Sequence, residues 1–262
     1  MKYKLADDAK PQVTLLLIAT FLTVAVWFIP YAEYLVYPIR LFVTFVHESS
    51  HALIAVLTGG AVQSLTISSD GSGVVYSMPS GFIGQALTSS AGYIGATVFG
   101  VVMLILIRRS VSPHKVLFGL GAFVGVMTIL FGIVSPIFNF LTLQVAFSTV
   151  LFTVVSGSLL SAALVALAKF SSLRVANFSV AFLAVQCLLN SLSDLKTVLF
   201  VNTPLIGSDI QNDAANMAAA TGLPAFIWVV VWIAIAVVVI TLGLRMYAVT
   251  RGATPSDSVF ND

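Results

Sequence analysis

Seven apolar stretches, each close to the ~20 residues that an α-helix needs to cross a bilayer, constrain this chain more than any other feature. They run from Val13 to Ile29, Leu41 to Leu57, Phe82 to Ile107, Val116 to Val134, Val145 to Leu167, Val175 to Phe200 and Leu223 to Leu244. Polar joints separate them, at Tyr31 to Arg40, Arg108 to Lys115, Lys169 to Arg174 and Asn202 to Thr221, with a further break at Ser135-Pro136. Only 8% of the 262 residues are charged and 59% are apolar, against roughly a quarter charged in a soluble domain. There is too little polar surface to cover a globule, so the exterior must face lipid. The expectation is an all-α polytopic integral membrane protein of about seven transmembrane helices, one domain over residues 1–262 with tails at 1–11 and 252–262, the membrane itself unspecified. A net charge of +2 provides no field for a polyanion, which excludes nucleic acid as a partner. The lone Cys187 excludes an internal disulfide framework and a cysteine-based zinc cluster.

The segment before the first stretch mixes Lys2, Lys4 and Lys10 with Asp7 and Asp8, and no small-residue cleavage site follows the apolar run. The first span therefore reads as a retained signal-anchor. Loop parity for seven spans puts Arg40, Arg108, Arg109, Lys115, Lys169, Arg174, Arg245 and Arg251 on one side and the three N-terminal lysines on the other. The larger group is expected in the cytoplasm.

Between the second and third stretches the chain reads AVQSLTISSDGSGVVY, from Ala61 to Tyr76, with alternating apolar and polar residues on both flanks of Asp70-Gly71. That is a β-hairpin signature, either an extracytoplasmic loop or a strand pair that dips toward a site. The third stretch carries Gly81, Gly84, Gly92, Gly95 and Gly100, whose expected role is close helix approach.

The chemistry concentrates in the second stretch, at His47-Glu48-Ser49-Ser50-His51. At 3.6 residues per turn His47 and His51 share one helix face and can reach one metal ion. Glu48 is rotated about 100° from His47, beside the metal, where it can take a proton from water. With three histidines and two glutamates in the chain, a chance HExxH is on the order of one in four thousand. Three ionisable groups at membrane depth are costly unless they coordinate something or line a wet cavity. Ser49, Ser50 and Thr58 would form a polar strip supplying that water.

An HExxH in a membrane-embedded helix, followed by ALIAVLTGG, a strand-like DGSG segment and SAGYIGATVFG, resembles the site-2 protease family of intramembrane zinc metallopeptidases, in its small branch without PDZ domains. The likeness is strongest from Phe45 to Gly100 and returns at LLNSLSDLK and NDAANMAAATGLP. It implies Zn2+ as cofactor, His47 and His51 as ligands, Glu48 as general base, and a membrane-anchored protein as substrate. It also implies a third ligand, an aspartate from a later helix within an LDG-type motif, which this chain lacks. Asp194 is the expected ligand, with Asn190 one turn earlier on the same face and Lys196 on a different one. Asp213, in a loop that could fold back, is the alternative, and Asp209 a lesser one.

His114 beside Lys115 and Glu33 between Tyr31 and Tyr34 read as interfacial residues, and Trp228, Trp232 and Tyr247 as lipid contacts. Two other classes use the same residues: a metal or ion transporter, and a non-catalytic subunit that keeps the fold and binds a membrane-protein partner.

Overall fold

The computed structural model describes residues 10–26, 29, 31–142, 145–202 and 212–248. In chain order they form α1 (Lys10–Val26), α2 (Ala32–Leu57), β1 (Ala61–Ile67), β2 (Gly73–Met78), α3 (Gly81–Arg108), α4 (Pro113–Met127), a π-helical segment (Thr128–Val134), α5 (Ser135–Phe138), α6 (Phe147–Phe170), α7 (Leu173–Thr197) with a π-helical end (Val198–Asn202), α8 (Asp213–Thr221) and α9 (Ala225–Ala248). Among the described residues each of the seven apolar stretches is helical over most of its length. Six helices among the described residues are long and apolar enough to cross a membrane, at Tyr34–Leu57, Gly81–Arg108, Pro113–Phe138, Phe147–Phe170, Leu173–Phe200 and Ala225–Tyr247. This is an integral, multi-pass, all-α membrane protein with one small hairpin. α1 is shorter in its apolar part, Leu16–Ala25. It packs on α7, where Gln186 Nε2 donates to the buried Thr23 hydroxyl at 2.8 Å.

Two boundaries differ from the sequence reading. The Tyr31 to Arg40 joint is mostly helix, because α2 begins at Ala32 and carries Pro38 six residues inside. Pro38 gives up its own hydrogen bond and crowds the carbonyl four residues earlier, on Tyr34 in the exposed first turn of the helix. The Ser135-Pro136 break is also bridged, and the span runs unbroken to Phe138. Proline clashes with the carbonyl four residues before it, and the wider π-helical turn ahead of Pro136 absorbs that conflict. Trp232 and Tyr247, expected against lipid, are each 1% exposed. The side chain of Glu33, residues Lys2, Lys4 and Asp209, and the C-terminal tail lie outside the described residues.

α3 is the central post, packed against α2, α7, α8 and α9. Its glycines set those distances: a Cβ at Gly95 would collide with Ser50 on α2, and one at Gly100 would meet Leu188 Cδ2 at 2.8 Å on α7. Around it, one apolar cluster joins α2, β1, α3, α4 and α7, and a second joins Tyr93, Leu195, Ala214, Met217, Val229 and Trp232. Arg108, Arg109, Lys115, Lys169, Arg174 and Arg245 all sit at helix ends on the same side of the bundle. His114 is held there, its Nε2 3.0 Å from the Ser171 carbonyl.

The hairpin does not extend outward. β1 and β2 pair antiparallel, Ile67 opposite Gly73, with one irregularity between Val62 and Ser64. The turn is closed by Ser68 N–H on Ser72 O at 2.8 Å and Gly71 N–H on Ser68 O at 2.9 Å, and Gly71 takes φ 83°, a left-handed conformation suited to glycine. The tip folds back along α2, where Tyr37 donates to Ser69 O at 2.7 Å and Thr44 to Gly71 O at 2.9 Å. On the other flank the Thr153 hydroxyl of α6 accepts from Ile67 N–H at 2.7 Å and lies 3.2 Å from Ile67 O. α6 thus covers the outer edge of β1, with Leu65 and Ile67 fully buried.

Candidate metal centre

His47 and His51 stand one turn apart on α2, their ring centroids 4.8 Å apart. Each points its Nε2 at one atom of a third residue. His47 Nε2 is 3.3 Å and His51 Nε2 3.2 Å from Asp213 Oδ2. Asp213 opens α8, where Asn212 caps the helix by accepting from Ala215 N–H at 2.9 Å, and Ala214 and Met217 bury themselves against Tyr93 and Trp232. The helix is thereby held with its first residue turned into the bundle.

Three features bear on whether a metal fits. The ligand atoms of His47, His51 and Asp213 lie within 4.8 Å of one another. Tetrahedral zinc with bonds of ~2.0–2.1 Å sets its ligands ~3.3 Å apart, close to both imidazole–carboxylate distances. His51 Nδ1 sits 2.6 Å from the Thr88 carbonyl, so its N–H donates there and Nε2 keeps its lone pair for an ion, the usual outer partner of a metal-binding histidine. Opposite the pair α3 presents Gly92, where a Cβ would be closer to both Nε2 atoms than any real Cβ contact. That space exists only because the side chain is a hydrogen atom. The residues present fit a zinc ion.

Asp194, the expected third ligand, is not in this group. α7 places it on the wall of the same cavity, which has a volume of about 850 Å³ and is also lined by Glu48, Asn190, Asn212 and residues 71–77. The α7 helix axis keeps Asp194 on the wall, whereas α8 folds back to bring Asp213 between the histidines. His51 and Asp194 lie at the same depth, each six residues, about 9 Å, from the end of its span away from the basic residues. Asp213, the alternative named from the sequence, is 166 residues from His47, and only tertiary folding unites them. The polar strip departs from expectation too. Ser50 donates to Val46 O and Thr58 to Ile54 O, Ser49 is buried without a partner, and none of the three lines the cavity.

Glu48 is buried beside the histidines and faces β2, since a Cβ at Gly73 would meet its Cγ at 2.5 Å and its Oε1 at 2.7 Å. Ile67 directs both its N–H and C=O outward to Thr153, so its partner Gly73 directs both of its own away from β1. Every second residue of β2 from Gly73 therefore turns its main-chain groups away from β1 toward the cavity that holds Glu48, and the Val75 N–H there meets the Glu48 carboxylate.

The bundle thus carries an HExxH helix whose two histidines meet an aspartate folded back from a later helix, a group of side chains that could hold a metal ion beside an acidic residue. The comparison with family models agrees: the Peptidase M50B-like family model matches residues 16–243, and the chain belongs to that family, the site-2 protease family. No curated protein and no solved structure matches it.

Proposed function

We propose that this chain is an intramembrane zinc metallopeptidase that hydrolyses peptide bonds of membrane-anchored proteins. The observation that carries the reading is the meeting of His47, His51 and Asp213 at one point beside Glu48 and an open strand edge. Zinc held by those three residues would leave a position for water, lower the pKa of that water toward ~7 and polarise a carbonyl. The protein's own part follows from position. β2 accepts an extended substrate segment as an added strand, which unwinds it and exposes its carbonyls. Glu48 takes a proton from the attacking water as the new C–O bond forms and the carbonyl π pair moves to oxygen. It then gives that proton to the leaving nitrogen as the C–N bond breaks. Thr88 keeps His51 in the required tautomer throughout.

The test uses metal content and cleavage of co-reconstituted membrane peptides. Wild type is expected to bind about one zinc per chain, His47→Ala/His51→Ala and Asp213→Ala to lose it, and Asp194→Asn to keep it. Glu48→Gln is expected to keep zinc and cut at least ~100-fold more slowly. Peptides accumulating in cells that carry Glu48→Gln identify the substrate. Zinc retention by Asp213→Ala with loss in Asp194→Asn would reverse the ligand assignment, and cleavage by Glu48→Gln at the wild-type rate would remove the base.

A further inference from the structure

Peptide hydrolysis leaves negative charge on the former carbonyl oxygen, and preorganised donors aimed at that oxygen are a large part of catalysis. Most polar groups around the cavity cannot serve. Glu48, Asp194 and Asp213 only accept as carboxylates, His51 Nδ1 is committed to Thr88 O, the Thr44 hydroxyl to Gly71 O and the Ser72 hydroxyl to Asp70, while the Asn190 amide spends one of its two N–H groups on Gln186. Asn212 Nδ2 and the Thr88 hydroxyl have no partner among the described residues; both residues line the cavity, but those two atoms are themselves buried.

Tyr93 differs. Its ring is held edge-on to His47, with centroids 4.7 Å apart at 80°, and lies against Trp232 at 5.6 Å. Trp232 is fixed by its own indole N–H on Ser90 at 3.0 Å. The Tyr93 carbonyl accepts from Thr97 and Ser191, each at 2.8 Å, so backbone and ring are both pinned. The residue is 6% exposed and lines the cavity, yet among the described residues its hydroxyl has no hydrogen-bond partner. The charges acting on that hydroxyl are Asp213, Asp194 and Glu48, two of them the residues that frame the reacting atoms. A rigid, buried phenol with an unused O–H beside a metal-binding histidine is a donor waiting for an acceptor.

We propose that the Tyr93 hydroxyl donates a hydrogen bond to the oxygen of the scissile carbonyl and strengthens it as the carbon becomes tetrahedral, which makes Tyr93 a catalytic residue alongside Glu48. This rests on the peptidase reading. Tyr93→Phe removes the donor and keeps the ring that packs on His47 and Trp232. The probe is a peptide phosphinate with leucine side chains on both sides of phosphorus, a tetrahedral mimic, compared with the corresponding amide peptide on full-length zinc-loaded protein. Tyr93→Phe is expected to keep wild-type zinc content and thermal midpoint, bind the amide within about twofold of wild type, and bind the phosphinate about 100-fold more weakly, in line with the loss of one oxyanion donor. Equal phosphinate affinity in Tyr93→Phe and wild type overturns the proposal, as does equal weakening for both ligands. A loss that appears instead in Ser89→Ala, one turn earlier on α3, overturns it as well. A wild type that holds no zinc refutes the peptidase reading first, and that result is distinct from a failure of Tyr93 alone.

Discussion

Adding one methyl group at Gly92 isolates what the close approach of α3 does. A Cβ there would overlap the ring edge of His47 and the Nε2 of His51. Non-bonded carbon contacts settle at ~3.5–4.0 Å, so the imidazoles or α3 must shift by about 1 Å or more. Metal sites hold their ligands to within about 0.2 Å, and a displacement of about 1 Å at a catalytic group costs on the order of 100-fold. The helix itself favours the change by up to about 1 kcal/mol, since alanine is the better helix former, while overpacking costs about 1–3 kcal/mol. Gly92→Ala is therefore expected to fold with a modestly changed thermal midpoint and to lose zinc affinity by at least about 100-fold. A chelator competition in detergent reads the affinity, with Gly119→Ala as the control because a Cβ there meets nothing. Zinc bound by Gly92→Ala as tightly as by wild type would show that the space opposite the histidines is not where an ion sits.

Three further outcomes follow from other parts of the fold. Thr153→Val is expected to lower stability by about 1–3 kcal/mol, because it leaves buried Ile67 main-chain groups without partners; an unchanged thermal midpoint would mean that α6 does not secure the hairpin. The Asp70 carboxyl is held below its ordinary range by the Ser72 hydroxyl and N–H, so it steadies the turn above pH ~4 and that contribution is lost as pH falls through its lowered pKa. Ser72→Ala should bring the Asp70 titration, followed by NMR, back toward the ordinary value. For orientation, cysteines placed at Arg174 and Lys4 in a Cys187→Ser background should label from opposite sides, with position 174 cytoplasmic; labelling of 174 from outside intact cells would reverse the topology.

What could be read from the chain was what is encoded locally. Span length, the alternation around Asp70-Gly71 and the i, i+4 histidines each depend on fewer than about 30 consecutive residues, and each appears in the fold. Asp213 was legible only as the alternative to Asp194, because its position depends on α8 folding back and on Ala214 and Met217 finding Tyr93 and Trp232. Asp194 was the stronger candidate by sequence because it sits in an apolar span, yet that same helix fixes it on the cavity wall. The burial of Trp232 was hidden for a related reason. In a membrane helix the lipid face is as apolar as the core face, so composition does not mark which side packs inward. Gly92 was visible as a small residue, but nothing local distinguished it from Gly95 or Gly100.

The half-paired hairpin has a consequence for the resting protein. Non-helical backbone at membrane depth persists only where protein covers it or water reaches it. Thr153 covers the outward groups of Ile67; on the edge that Gly73 begins, Glu48 meets the Val75 N–H, and the rest of that edge faces the cavity. The peptide groups of that edge other than the Val75 N–H must be solvated before any substrate arrives. The fold thus carries its own wet compartment into the bilayer for a structural reason, and the reagent that hydrolysis consumes is stored against the strand on which the substrate would lie.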